Sequence, residues 1–219
     1  DVQIDYDTNG GGKLVMEAWK KLVDDGVAFN FGVDNDGAKA AFMAGTTAIT
    51  LESTAQLTTI TNGANFNVGT AFFPSAASER TDRAIIGGAN LWMVNSGDEQ
   101  RMADAWTFMK YMASAEPAAK FSMATGYYAA NSHAYEVPEY VEFLENNPNA
   151  RTALDQLRSS ELNNLTGSLF TGVNAELRQI WQEEMDLYLQ GAYTIDEALA
   201  TIADRSNASI ASYNATVGA

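Results

Sequence analysis

The run Ala84-Ile85-Ile86-Gly87-Gly88-Ala89-Asn90-Leu91-Trp92-Met93-Val94 constrains this chain more than any other stretch. Ile85-Ile86 and Leu91 to Val94 read as buried strand, and Gly87-Gly88 interrupts it. A glycine inside a strand pattern marks a bulge, or a place where something approaches the backbone closely. That something is either a small ligand lying on bare backbone N–H groups or a neighbouring strand or helix. The local sequence leaves both readings open.

The remaining residues narrow the classes of function. The 13 basic residues are outnumbered by 28 acidic ones, for a net charge of −15. That balance argues against nucleic acid, whose phosphates need a basic face, and against an anionic membrane surface. An anionic ligand then needs a local cation or a set of backbone donors, because the overall field repels it. With 46% hydrophobic residues the chain is globular, and its 219 residues suit one large domain or two small ones. There is no cysteine, hence no thiol chemistry. No apolar run approaches the roughly 18 residues of a membrane span. The chain opens on Asp1-Val2-Gln3-Ile4-Asp5-Tyr6, a strand pattern already under way, which reads as the processed or truncated end of something longer.

Val2 to Tyr6 alternates as a strand does. Asp5, Asp7, Asn9 and Gly10 echo the start of a calcium loop, but Met16 stands where the bidentate Glu belongs, so a polar turn is expected. Gly10-Gly11-Gly12-Lys13 lacks the hydroxyl residue that follows the lysine of a phosphate-binding loop. Lys13 to Asp25 is an expected helix, with Leu14, Val15, Ala18, Trp19, Leu22 and Val23 on its apolar face. Ala38 to Ala44 is a short helix. Thr46 to Leu51 is an expected strand running into Glu52-Ser53-Thr54-Ala55-Gln56, which opens the next helix. The Ser53 hydroxyl there either caps that helix or faces an anion at its start. Asn67 to Phe73 is a further expected strand, and Ser75 to Arg83 an exposed loop or crossover.

After about Val94 helices dominate. Asp98 to Ala113 carries Met102, Ala105, Trp106, Met109 and Met112 at helical spacing, read as core. A helix opening near Pro117 ends at Gly126, and Tyr127-Tyr128 follows. A Tyr just past a helix end can pack its ring and keep its hydroxyl for a polar ligand. Short helices are expected over Pro138 to Glu145 and Asn149 to Arg158, with a loop at Asn164 to Val173. Asn174 to Gly191 is a helix burying Leu177, Ile180, Trp181, Met185 and Tyr188. Arg178 sits near its N-terminus, against the macrodipole, which suggests another job for that cation. Thr194-Ile195-Asp196-Glu197 is a capping box opening the last helix.

Phe42-Met43-Ala44-Gly45-Thr46-Thr47-Ala48-Ile49, the Phe73-Pro74 strand end, Ala84 to Ala89 with Leu91-Trp92, Thr125-Gly126-Tyr127, Asn147-Pro148, and Arg178 ahead of Glu183-Glu184 together resemble one family. It is the extracellular solute-binding proteins that feed ATP-driven (ABC) importers. Within it the chain is most similar to the subfamily binding glycerol-3-phosphate and glycerophosphodiesters. The resemblance spans essentially the whole chain and corresponds to the C-terminal part of such a protein.

It implies an α/β fold, periplasmic-binding-protein-like of type II. Residues 1–75 and 128–219 then form the second lobe, 80–126 belong to the first, and the rest of the first lobe is absent. It implies capture of a phosphoester between two lobes at Ser53, Gly88, Tyr127 and Arg178, outside the cytoplasm, in the periplasm or lipid-anchored at the cell surface. The implied partners are permease subunits of an ABC transporter; for the truncated chain, lacking part of its packing, a dimer or swapped arrangement is plausible. No cofactor or metal is implied. Two departures stand out: Leu165 to Thr171 lacks a proline-rich segment, and Glu52 stands beside Ser53 where a small residue is usual. A carboxylate there suits a sugar hydroxyl or a choline-like cation, so a sugar or oligosaccharide receptor is the alternative. An enzyme is disfavoured. His133 is the single histidine, in a polar turn, and Glu183-Glu184 are adjacent on a helix and point about 100° apart.

Overall fold

The computed structural model describes residues 3–74, 90–161 and 171–218. Its helices are α1 (Gly11–Asp24), α2 (Asn35–Met43), α3 (Leu57–Gly63), α4 (Glu99–Met112), α5 (Ala115–Thr125), α6 (Pro138–Asn146), α7 (Thr152–Ser159), α8 (Asn174–Leu189) and α9 (Ile195–Val217). Short 3-10 turns lie at Thr54–Gln56, Ser132–Glu136 and Pro148–Ala150. The described residues divide into two compact units, 3–35 with 171–218, and 36–74 with 90–161. Ile85-Ile86, the Gly87-Gly88 pair, the expected loop at Ser75 to Arg83, and the 164–170 part of the Asn164 to Val173 loop lie outside the described residues.

The α/β expectation is corrected: no strand occurs among the described residues. The segments read as strands find side chains where a ladder needs a neighbouring strand. The Asn207 carboxamide accepts from the Ile4 N–H at 2.8 Å and donates to the Ile4 carbonyl at 3.1 Å. Asn149 donates to the Val68 carbonyl at 2.7 Å and accepts from the Thr70 N–H at 3.2 Å. Gln156 holds both backbone groups of Phe73, at 2.9 and 3.1 Å. A carboxamide offers a donor and an acceptor side by side, as a peptide group does. It satisfies one or two residues of extended backbone but cannot extend the pairing, so no ladder grows. Residues 46–51 and 91–94 also run without strand structure, and Ile49, Trp92 and Val94 are 81%, 86% and 82% exposed.

In the unit formed by α1, α8 and α9, Met16, Tyr188, Ala198, Leu199 and Ile202 make the core, with Tyr6, Trp181, Met185 and Ile195 against it. The expected inner face of α1 is also corrected. Leu14, Val15, Trp19 and Leu22 are exposed, while Gly12 and Met16 are buried. A Cβ on Gly12 would stand 2.7 Å from both the Leu199 side chain and the Tyr6 carbonyl. That close approach, open only to glycine, turns the Gly12–Met16 side of α1 inward and the apolar stripe away. On α8, Ile180 and Tyr188 are buried as expected. Thr194 and Glu197 form the expected capping box at the start of α9.

In the other unit, Ala119, Ala129, Ala134, Tyr140 and Leu144 form the core, with Met123, Tyr135, Val137 and Phe143 among the side chains packed on it. Met102, Ala105, Met109 and Met112 on α4 are half-buried, consistent with an inward stripe, but Trp106 is exposed. The Lys110 ammonium lies 6.0 Å from the Trp106 ring centroid instead. No described helix is long and apolar enough to cross a membrane.

Candidate functional site

Two of the four expected site residues come from loops that touch. Ser53 precedes the turn Thr54–Gln56 and caps it, its hydroxyl oxygen accepting from the Ala55 N–H at 3.3 Å. The cap uses one lone pair. The hydroxyl hydrogen has no acceptor among the described residues and is available to a ligand. Tyr127 follows Gly126, which ends α5 in the left-handed region at φ 96°. A Cβ on Gly126 would meet the Thr54 carbonyl at 2.6 Å and Leu57 Cβ at 2.8 Å. The glycine therefore lets the end of α5 lie directly on the Ser53–Leu57 turn, and its neighbours Ser53 and Tyr127 flank that contact.

Tyr127 is held at its backbone and its ring. Its N–H donates to Thr125 Oγ1 at 3.2 Å, and its carbonyl accepts from the Ser122 hydroxyl. Its ring stacks on Phe121, with centroids 5.8 Å apart and planes 18° from parallel. The Tyr127 phenol itself makes no hydrogen bond among the described residues, so its O–H is free to donate or accept.

Lys39 is a cation that reading the sequence did not single out. Its side chain, only 16% exposed, reaches from α2 to Gln56 Oε1 at 3.2 Å and Asp36 Oδ1 at 2.8 Å. The hydrogen bond to Asp36 raises its pKa, and the nearby charge of Glu52 adds to the rise. Glu52 in turn accepts the Ser53 N–H at 2.7 Å. The carboxylate beside Ser53 is thus engaged with the backbone and faces a positive charge. The signal was present as a lysine one turn before the end of a short helix, but only the fold reveals its neighbours.

Arg178 belongs to the other unit. It is exposed in the second turn of α8, and it has no ion-pair partner among the described residues. Further along α8, Arg205 of α9 forks onto Glu184 Oε1 at 2.6 Å and Glu183 Oε2 at 2.7 Å. Glu184 is buried, and the Arg205 hydrogen bond holds the Glu183 carboxyl below its ordinary range. This fork fixes α8 against α9 and leaves the Arg178 guanidinium, five donors in a rigid plane, unspent. Gly88 lies outside the described residues. Among the described residues no three acidic or histidine side chains gather as a metal would require. His133 is exposed and approaches only Glu136, at 3.4 Å.

Residues 1–152 match the family described as bacterial extracellular solute-binding protein. The chain belongs to that family. Among relatives of this solute-binding chain is the sn-glycerol-3-phosphate-binding periplasmic protein UgpB of Escherichia coli strain K12. It is 31% identical over 181 residues, covering 82% of the chain and 41% of the relative's length. The protein of the same name from Shigella dysenteriae serotype 1 matches to the same extent. This solute-binding chain thus spans about two fifths of the length of these relatives. In fold it is similar to UgpB from Mycobacterium tuberculosis, solved in complex with glycerophosphocholine, with a TM-score of 0.73 at 23% identity. That likeness covers 91% of the chain and 48% of the solved one. A cyclic alpha-maltosyl-1,6-maltose binding protein from Arthrobacter globiformis gives a TM-score of 0.67 at 18% identity, covering 94% and 49%.

Proposed function

We propose that this chain is part of the substrate-binding subunit of an ABC importer and captures glycerol-3-phosphate or a glycerophosphodiester between two lobes. The observation that carries this reading is the 31% identity over 181 residues to relatives named for binding sn-glycerol-3-phosphate. The mechanism is capture without a chemical step: no covalent bond is made or broken. The receptor works outside the cytoplasm and hands its ligand to membrane permease subunits. In this reading residues 1–75 and 128–219 belong to the second lobe and 80–126 to the first.

Ser53, Gly88, Tyr127 and Arg178 are the proposed ligand contacts. Their chemistry suits a phosphoester. Arg178 offers a charge-assisted, bidentate fork to two phosphate oxygens. Ser53 and Tyr127 offer hydroxyls, and Gly88 offers an N–H with no side chain in the way. The free guanidinium of Arg178 and the free hydroxyl hydrogens of Ser53 and Tyr127 support this assignment. The negative net charge makes a local cation a requirement for holding any anion.

Arg178 gives the direct test. In the full-length protein, Arg178→Ala is expected to weaken glycerol-3-phosphate binding by roughly 3 kcal/mol, on the order of a hundredfold. Arg178→Lys is expected to restore little, since an ammonium cannot make the planar fork. Unchanged affinity in Arg178→Ala removes phosphate recognition by this arginine from the account.

A further inference from the structure

The residues around Tyr127 carry a relay that the proposed contacts do not include. We propose that Ser122 and Tyr140 are positioning residues, setting where the Tyr127 ring and hydroxyl stand. The inference rests on the reading of Tyr127 as a ligand contact.

Ser122 on α5 is 3% exposed and Tyr140 on α6 is 1% exposed, so neither touches a solute directly. Their hydroxyls are 2.6 Å apart. Proton bookkeeping fixes the direction of the chain. The Tyr127 carbonyl can only accept, so the single Ser122 hydroxyl hydrogen goes to it. The Ser122 oxygen is then left as acceptor, and Tyr140 must be the donor at that contact. The relay runs from the Tyr140 O–H to Ser122 Oγ, and from the Ser122 O–H to the Tyr127 carbonyl. Each bond polarises the next, and the Ser122–Tyr140 contact is buried.

A second tyrosine does the same two residues on. The Tyr135 O–H donates to the Ala129 carbonyl at 2.9 Å, and burial pushes its phenol up, with Tyr140 beside it adding to the shift. The segment after α5 is therefore held at the alternate carbonyls of 127 and 129, the first by Ser122 of α5 and the second by Tyr135 from the stretch that leads into α6. Thr125 holds the Tyr127 N–H, and Phe121 holds its ring. The Tyr127 N–H, carbonyl and ring are thus each held by a neighbour on α5, Thr125, Ser122 and Phe121.

The test is a double-mutant cycle read in ligand affinity, with glycerol-3-phosphate and glycerophosphocholine as probes and the full-length protein as host. Tyr140→Phe keeps the ring and removes the donor; Ser122→Ala breaks the relay at its centre. Each is expected to weaken binding by roughly threefold to tenfold, the usual effect of one hydrogen bond. In a Tyr127→Ala background the same changes are expected to have no further effect on affinity. Equal losses in both backgrounds, or no loss in either, overturn the positioning role. Amide hydrogen exchange over residues 126–130 is a readout that needs no ligand. It is expected to speed up in Tyr140→Phe and Ser122→Ala while exchange in α9 stays unchanged; no local change overturns the relay. If the unmutated protein binds neither probe, the ligand role of Tyr127 is what fails, and the exchange data decide the relay separately.

Discussion

Gly126 shows what a single residue decides here. Its positive φ excludes a relaxed L side chain, and the Thr54 carbonyl and Leu57 Cβ fill the place of one. Gly126→Ala is expected to cost about 2–4 kcal/mol, left-handed strain and overpacking together. Gly191 is the control: it has φ 79° but nothing within 4 Å of an added Cβ. Gly191→Ala is expected to cost only about 1 kcal/mol. Urea denaturation of both variants checks this, and equal losses contradict the close approach of the two loops. Thr125-Gly126-Tyr127 was legible as a helix stop followed by a tyrosine. What the glycine rests on was not, because Thr54 lies far away in the chain. Lys39 was missed for the same reason: its partners Gln56 and Glu52 come from the next loop.

At the level of elements, local signals were legible and pairing was not. The capping box at the start of α9 follows from Thr194 and Glu197 alone, since both partners lie within one turn. Thr194→Ala is expected to cost about 1 kcal/mol. The Thr194 backbone N–H holds the Glu197 carboxyl below its ordinary value of 4.5, with the Thr194 hydroxyl adding to the effect. A carboxyl depressed in the folded state stabilises fully above its unfolded value and loses that contribution as pH falls through the folded one. The melting-temperature gap between the unmutated protein and Glu197→Gln is therefore expected at pH 7 and expected to close below pH 4.5. A gap that stays constant through that range contradicts a contribution of the Glu197 charge to the cap. The expected strands failed because apolar alternation specifies an extended segment without naming its partner. At Ile4, Val68–Thr70 and Phe73 the partner is a carboxamide from Asn207, Asn149 or Gln156, and no sheet follows. The inner face of α1 failed through Gly12, whose closeness to Leu199 outweighs a wider apolar stripe.

For the whole molecule, the family was legible from short motifs spread along the chain, and it holds for residues 1–152 by direct match. The architecture was legible less well, since the motifs carry the family and not the pairing of its segments. Charge limited the possible ligands early: at −15, an anion is held only where specific donors outweigh the general field. The central claim is that those donors serve a phosphoester. Calorimetric titration of the full-length protein with glycerol-3-phosphate, glycerophosphocholine and maltose tests it most directly. The account predicts binding of about micromolar strength or tighter to at least one phosphoester, and none to maltose. Binding to maltose alone contradicts it, makes the ligand a sugar and removes phosphate recognition from Arg178.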